Sequence, residues 1–396
     1  MLTHVISVAA GTFSVVALAG SAYILLLAFI GAFAGPVDQR VALLPRSTHF
    51  LILVPAHNEE KGIEATLRSL YALAYPPELY RVVVIADNCS DSTAAVVEQH
   101  GTECWVRNDA NARGKGQALC WAIKRAWNLK FDAVVIVDAD TEVSANVLSA
   151  LDSAIANGAR AAQVRYDFRR EDGSGVPLFT VIGKHAENTL FWRPRSRWNL
   201  SVFLQGNGFC LSRSILSEIP WSANSIVEDL EYSMTLVIRR IPVAYLESAK
   251  VMARSVVSTS TATPQRLRWA SGTFQMMLRW LPRLVIEAIK QRSGYIAEAA
   301  CGLLFISRVL LVYLTAAALM LWFIAGQWHF SWVPGFIFAA IVSQFLYVGL
   351  VLRTSVAGRV TWRSAVSLPG YVIWICVVQC LALFGLRRDA WTRTVR

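Results

Sequence analysis

Charge is scarce along this chain. Asp, Glu, Lys and Arg make up 16% of its 396 residues and hydrophobic types 55%. The mean hydropathy of +0.43 excludes an ordinary soluble domain. Between residues 5 and 34 no Asp, Glu, Lys or Arg occurs, a run longer than the ~20 residues that span a bilayer. Cysteine is sparse too. Its seven residues show neither metal-ligand spacing nor a paired framework, which excludes a zinc ribbon and a disulfide scaffold. Cys376 and Cys380, one helical turn apart in an apolar stretch, read as packing residues. The loop Asn111-Ala112-Arg113-Gly114-Lys115-Gly116 lacks the Walker spacing, so an ATPase loop is unsupported. No nucleic-acid motif accompanies the net charge of +11, which suits anionic lipid or diphosphate ligands.

What is present is organised by hydropathy. Residues 1–35 read as an N-terminal transmembrane anchor. Residues 295–396 read as a membrane region, with segments near 300–325, 332–352 and 366–386 and a basic tail. Between them, 36–260 is mixed and periodic, long enough for a sizeable core, and 261–294 reads as interfacial amphipathic helices. A signal peptide competes for the N-terminus because Ala32-Phe33-Ala34 resembles a cleavage site, but the run is too long and lacks a basic n-region. Arg40 and Arg46 follow the anchor with no Lys or Arg before it, which places the middle domain in the cytoplasm. The same rule puts Arg353, Arg359 and Arg363, and the tail's Arg387, Arg388, Arg393 and Arg396, on the cytoplasmic side. Three full crossings would put the tail outside. Either one apolar segment is re-entrant or interfacial, or the charge rule fails here.

In the middle domain apolar runs alternate with helical patterns. His49–Pro55 precedes a helix over Glu59–Leu73, with Asn58 as its N-cap. Arg81–Ala86 ends at Asp87, after which Ser90 and Asp91 cap a helix through His100. Asp132–Val137 ends at Asp138, with a helix near 144–157 behind it. Continuous apolar strands of this sort belong to a parallel sheet, and ligands bind at the carboxyl ends of its strands.

Asp138 and Asp140, two apart on an extended segment, leave on one side. They suit Mg²⁺ or Mn²⁺ bound with phosphate oxygens, or they are two solvated acids. The loop carrying Lys115, before a helix from about Gln117, holds phosphate or is a plain turn. Gly206-Asn207-Gly208 is a simple turn or a close approach to ligand. Glu228-Asp229 is favourable charge in a helix's first turn, or a general base with a neighbour that orients it. Gln265–Leu281, opened by Pro264, mixes Arg266, Arg268 and Arg279 with Trp269, Phe274, Met276, Met277 and Trp280. That composition fits an interfacial helix with Trp at headgroup depth, a core helix being the alternative. Arg193-Pro194-Arg195-Ser196-Arg197-Trp198 touches lipid headgroups or an acceptor phosphate, or is a solvated loop. A transporter would need ionisable residues inside its membrane segments, for which Arg308 is the clearest candidate.

Taken together, Val54-Pro55-Ala56-His57-Asn58-Glu59-Glu60, Asp87, the Asn111–Gly116 loop, Asp138-Ala139-Asp140, Glu228-Asp229 and Gln265-x-x-Arg268-Trp269 resemble the membrane-integrated family 2 glycosyltransferases. That group includes cellulose, hyaluronan and chitooligosaccharide synthases and many bacterial exopolysaccharide glycosyltransferases. The resemblance covers residues 48–270 closely. It implies an α/β GT-A fold, a Rossmann-like nucleotide-diphospho-sugar transferase domain flanked by transmembrane helices. It also implies inverting, metal-dependent transfer from a nucleotide-sugar, UDP- sooner than GDP-linked, to a lipid-linked or growing polysaccharide acceptor at the bacterial inner membrane.

By that likeness Pro55, Glu59 and Asp87 contact the base and ribose, and Lys115 and Asp138 hold the donor. Asp140, with Asp138, coordinates Mg²⁺ or Mn²⁺ on the diphosphate. Asp229 is the base beside Glu228, and Gln265, Arg268 and Trp269 bracket the pyrophosphate and acceptor. A processive synthase with coupled export is the alternative. Against it stand Phe203-Leu204-Gln205-Gly206-Asn207-Gly208-Phe209, which replaces a cysteine-containing loop of several synthases, and a membrane portion smaller than that of cellulose synthases.

Overall fold

The computed structural model describes residues 2–36, 46–169, 175–222, 225–255, 258–326, 331–355 and 362–385. The β-branched runs become strands: β1 Phe50–Ala56, β2 Tyr80–Asp87, β3 Glu103–Arg107, β4 Ala133–Ile136, β5 Thr141–Val143, β6 Ala161–Arg169, β7 Phe209–Ser212 and β8 Val243–Arg254. They form one sheet in the order β3-β2-β1-β4-β7-β6-β8-β5. Its first four strands are parallel, as their apolar runs imply. The sheet as a whole is mixed, because β7 runs antiparallel between β4 and β6 and β5 runs antiparallel to β8.

The helices are α1 Leu2–Phe33, α2 Ile63–Tyr71, α3 Thr93–Gln99, α4 Lys115–Ala126, α5 Val147–Ala156, α6 Gly175–Glu187, α7 Arg193–Arg197, α8 Arg213–Glu218, α9 Glu228–Ile238, α10 Thr259–Lys290, α11 Gly294–Leu304, α12 Arg308–Ile324, α13 Val333–Thr354 and α14 Trp362–Leu383. Alternation along β1 sets the layers. Phe50, Ile52 and Val54 join Ile63 and Leu67 of α2 and Leu148 and Leu151 of α5. Leu51 and Leu53 join Leu119 and Ile123 of α4 in a second cluster. This second cluster runs on through Phe274 and Trp280 of α10, Leu303 of α11 and Leu311 of α12, so the sheet's core and the apolar helices share one interior.

Several local expectations are corrected. Asn58 does not cap α2. It takes a positive φ of 57°, its Oδ1 accepts from the Ser90 amide at 2.7 Å, and α2 starts behind Gly62. Asp138 and Asp140 do not share an extended segment. The strand stops at Ile136 and the chain turns at residues 139–140, pinned by Thr66 Oγ1 donating to the Ala139 carbonyl at 2.8 Å and accepting from the Thr141 amide at 3.0 Å. Residues 261–294 are mainly one helix, α10, and Trp280 is buried in the core, not at headgroup depth. The stretch 300–325 is broken between α11 and α12, which meet at a 74° bend.

The run at 193–198 is not a solvated loop. Arg195 is fully buried, at 0% exposure. It donates to Ser201 Oγ at 2.7 Å, Tyr23 OH at 3.0 Å and Glu298 Oε2 at 3.1 Å, with its guanidinium 4.7 Å from the Phe191 ring centre. α1, α7 and α11 are thereby fastened through one ion pair. The charge-rule residues Arg40, Arg359, Arg387, Arg388, Arg393 and Arg396, and the Arg363 side chain, lie outside the described residues.

α1, α13 and the Val366–Leu383 part of α14 are each long and apolar enough to cross a membrane, and α11 with α12 passes the same test as a bent pair. These helices indicate that the protein is membrane-associated.

Candidate active site

The carboxyl ends of β1, β2 and β4 open onto a cavity of about 590 Å³. Pro55, Glu59, Asp87, Lys115, Asp138, Asp140, Glu228, Asp229, Gln265, Arg268 and Trp269 all line it. Residues from six separate stretches of sequence are thus brought to one place.

Several of these side chains are held by identifiable partners. Asp87 ends β2 buried, and Arg107 Nη1 donates to its Oδ1 at 2.5 Å. Arg107 also binds the Ala112 carbonyl at 2.7 Å, which ties the Gly-rich loop to Asp87. α4 begins at Lys115 itself, earlier than Gln117, and Lys115 Nζ donates to Asp138 Oδ1 and to the Gly206 carbonyl. The loop therefore places a cation beside the strand-end carboxylate. Burial opposes the Lys115 charge, yet Asp138, Glu228 and Asp229 outweigh it and raise its pKa. Asn207, wholly buried, accepts from the Asp138 amide at 3.1 Å and donates to Thr141 Oγ1 at 2.8 Å.

The two glycines of Gly206-Asn207-Gly208 have different reasons. Gly206, at φ 77°, passes so close to the base candidate that a Cβ would lie 3.3 Å from Asp229 Oδ2. A Cβ on Gly208 would lie 2.6 Å from Val251 Cγ2, so that glycine serves core contact and not a ligand.

Glu228 and Asp229 occupy the first turn of α9, where the helix N-terminus favours negative charge and where they also face the cavity. Burial raises both pKa values, with Asp229 adding to the rise at Glu228 and Asp138 to the rise at Asp229. Glu228 is pushed up to about 7 despite nearby Lys115. Because its folded pKa exceeds the ordinary 4.5, its contribution to stability is complete below about 4.5 and is lost as pH rises through about 7. Glu228→Gln should therefore gain melting temperature relative to the parent protein across that window, measured by thermal unfolding in detergent from pH 4 to 8.

On α10, Gln265 is buried and Arg266 donates to Thr180 Oγ1 at 3.2 Å, its guanidinium 5.6 Å from the Trp269 ring centre. Burial lowers the Arg268 pKa, against the pull of Glu228 and Asp138.

Sequence reasoning missed the opposite wall. Lys184 Nζ donates to Gln205 Oε1 at 2.7 Å and Glu187 Oε2 at 3.2 Å, and sits 4.8 Å from the Tyr166 ring centre. Trp192 Nε1 donates to Glu187 Oε1 at 2.9 Å. Burial acts to raise the Glu187 pKa, but Lys184 and Arg308 override it and lower it. An i,i+3 Lys/Glu pair is common on helix surfaces and carries no signal of a cavity. The π-helical turn Asn188–Trp192 that follows is the feature that aims Trp192 inward.

A divalent cation fits this donor set. Among the described residues no group of three or more His, Cys, Asp or Glu side chains forms a metal cage, while Asp138 and Asp140 both reach the cavity. Mg²⁺-type sites use one or two carboxylates and complete their shell with water and substrate phosphate.

Residues 45–272 match the family model described as Glycosyltransferase like family 2. The chain is 27% identical over 372 residues to a beta-monoglucosyldiacylglycerol synthase of Synechocystis sp., covering 87% of this chain and 74% of that one. It is 25% identical over 232 residues to a poly-beta-1,6-N-acetyl-D-glucosamine synthase of Staphylococcus aureus, covering 57% and 55%. Apart from the Synechocystis protein, the chain spans about half the length of the curated relatives it matches. Among solved structures, the mannosyltransferase PcManGT of Pyrobaculum calidifontis, in complex with GDP-Man and Mn²⁺, superposes with a TM-score of 0.57 at 17% identity, covering 95% of this chain and 99% of that one. That likeness concerns the fold, which is GT-A.

Proposed function

The chain belongs to glycosyltransferase family 2, and from that premise we propose that it transfers a sugar, with inversion, from a nucleotide-sugar to a hydroxyl of a lipid-borne acceptor at the membrane. The observation that carries the reading is the junction at Gly206. Its carbonyl accepts from Lys115, the residue paired with Asp138, and its α-carbon abuts Asp229. Donor-holding groups and a candidate base thus meet across one residue.

In this reading Pro55, Glu59 and Asp87 receive the base and ribose, a UDP-sugar being the expected donor. Lys115 and Arg268 face the diphosphate. The acceptor oxygen attacks the anomeric carbon as the bond to the diphosphate oxygen breaks, and Asp229 takes the hydroxyl proton. Asp138 and Asp140 would hold Mg²⁺ or Mn²⁺, which supplies charge stabilisation for the departing diphosphate. Lys115 and Arg268 act in the same sense. Trp269 offers the acceptor a flat apolar face.

A lipid-borne acceptor is favoured over an exported chain by two features. The cavity's far wall is built from Phe179, Ile306 and Tyr371 beside the apolar helices. Small residues of α1 also let α12 close on it, so that a Cβ at Gly20 would fall 2.6 Å from Leu311 Cδ2.

The test is turnover by the full chain in nanodiscs with Mg²⁺ or Mn²⁺, a panel of UDP- and GDP-sugars and a lipid extract. The expected product is a lipid carrying one added sugar, read by mass spectrometry. Incorporation from no nucleotide-sugar would sink the reading, and a ladder of long products would replace it with a synthase. Asp140→Asn should reduce turnover by at least ~10²-fold, since metal stabilisation of developing charge is worth several kcal/mol. Mn²⁺ binding in the presence of nucleotide, followed by electron paramagnetic resonance, should weaken in parallel.

A further inference from the structure

Hydropathy makes α14 a crossing, but its neighbours argue otherwise. α1, α12 and α13 form a bundle whose directions can be read from side-chain contacts. Phe13 of α1 meets Trp322 and Val333, Ser21 accepts from Gln344, which also binds Thr315, and Ala28 and Ala32 meet Leu350 and Val351. α12 therefore runs antiparallel to α1, and α13 parallel to it. The ends bearing Phe33, Arg308 and Thr354 are the ends at the catalytic domain. Arg193 donates to the Gly31 and Ala34 carbonyls, Arg308 lies over Phe191, and His185 pairs with the Thr354 carbonyl.

α14 packs on α10 and α6 instead, and its partners all belong to that same end. Tyr371 stacks obliquely on Phe179 at 4.9 Å and joins the cluster holding Val351. Trp374 Nε1 donates to Thr263 Oγ1 at 3.0 Å. Tyr313 donates to the Cys376 carbonyl, and Ser307 to Gln379 Oε1 at 3.5 Å. A crossing begun at Trp362 would carry Gln379 about 26 Å along the helix axis, most of the ~30 Å hydrocarbon core. Gln379 instead meets Ser307, the residue just before α12 begins.

The helix is also two-faced. Tyr371, Trp374, Val378 and Ala382 turn toward protein, while Val372, Ile373, Val377 and Leu383 are exposed. On α13, Phe345 and Leu352 are exposed apolar residues as well.

We infer that α14 does not cross the membrane but lies along the leaflet on the catalytic side, its Val372–Ile373–Val377 face in lipid and its Tyr371 roofing the acceptor end of the cavity, so that a lipid-borne acceptor reaches Asp229 sideways from that leaflet. The access role rests on the proposed transferase reading, whereas the placement of α14 does not. Among the described residues the chain then crosses three times, by α1, α12 and α13, and leaves α14 on the catalytic side. The charge rule expects the tail's Arg387, Arg388, Arg393 and Arg396 on that same side.

The placement is tested on the full chain in sealed vesicles, with one protease-cleavable tag after Arg396 and another in the exposed turn at Gly158. Cleavage of both from the same face is expected, and cleavage from opposite faces overturns the inference. Fluorescent labels at Ile373 and Leu383, quenched by brominated lipids, should report the same shallow depth, with a label at Leu319 of α12 deeper. A Leu383 label at mid-core would overturn it equally. Neither readout needs activity, so an inactive enzyme would refute the transferase reading and leave the placement standing. For access, Tyr371→Ala should raise KM for a bilayer-embedded acceptor several-fold more than KM for a short-chain soluble analogue. An equal rise for both would overturn the sideways route.

Discussion

Asp229→Asn should lower kcat by roughly 10²- to 10⁴-fold, the range a positioned general base contributes, while nucleotide-sugar affinity measured by calorimetry changes little. Asparagine keeps the size and the contact with Gly206 but cannot accept the hydroxyl proton. The donor's expected partners, Asp87, Lys115 and Asp138, are positioned by hydrogen bonds with Arg107, the Gly206 carbonyl and Asn207, and the Asp229 carboxylate is a partner in none of these bonds. Full turnover by the variant would move the base role elsewhere, and equal loss of donor binding would make Asp229 a donor ligand.

Glu298→Ala should cost about 3–5 kcal/mol of stability, as removing one partner of a buried ion pair does. Glu298 accepts from Arg195, Tyr23 and Ser201 together, and its loss strands a guanidinium with no exposed surface. Thermal unfolding in detergent measures the effect. Replacing both charges, as Arg195→Met with Glu298→Leu, should recover much of it, because apolar residues of similar volume often substitute for buried pairs without loss. A melt unchanged in Glu298→Ala would mean that water reaches Arg195.

The strands were legible because runs such as Val82–Ile85 and Val134–Ile136 are solid β-branched sequence bounded by carboxylates, and those bounds became the cavity's rim. The candidate site was legible for the same reason: its residues sit where strands end and helices begin. The turn at residues 139–140 was not, since its geometry comes from Thr66 and Asn207, far away in sequence. Arg195 misled because a basic run reads as solvated until its counter-charge, Glu298, is found on another helix. Lys184 and Glu187 looked like any surface pair. Hydropathy cannot separate a helix that crosses from one that lies flat, so α14 had to be placed by its contacts.

The attachments of α1 also set an order of events. Its neighbours are Thr189 and Arg193, then Phe305 and Leu311, then Trp332 to Val351. The ribosome makes α1 before all of these, and its partners on α13 last. At roughly 5–20 residues per second, some 300 intervening residues take about 15–60 s. For that time α1 must persist in the bilayer without α13, with much of its small-residue face meeting lipid in place of protein. A shortened chain ending before α12 would never relieve it, so quality-control proteases of the membrane should remove such fragments far faster than the complete protein.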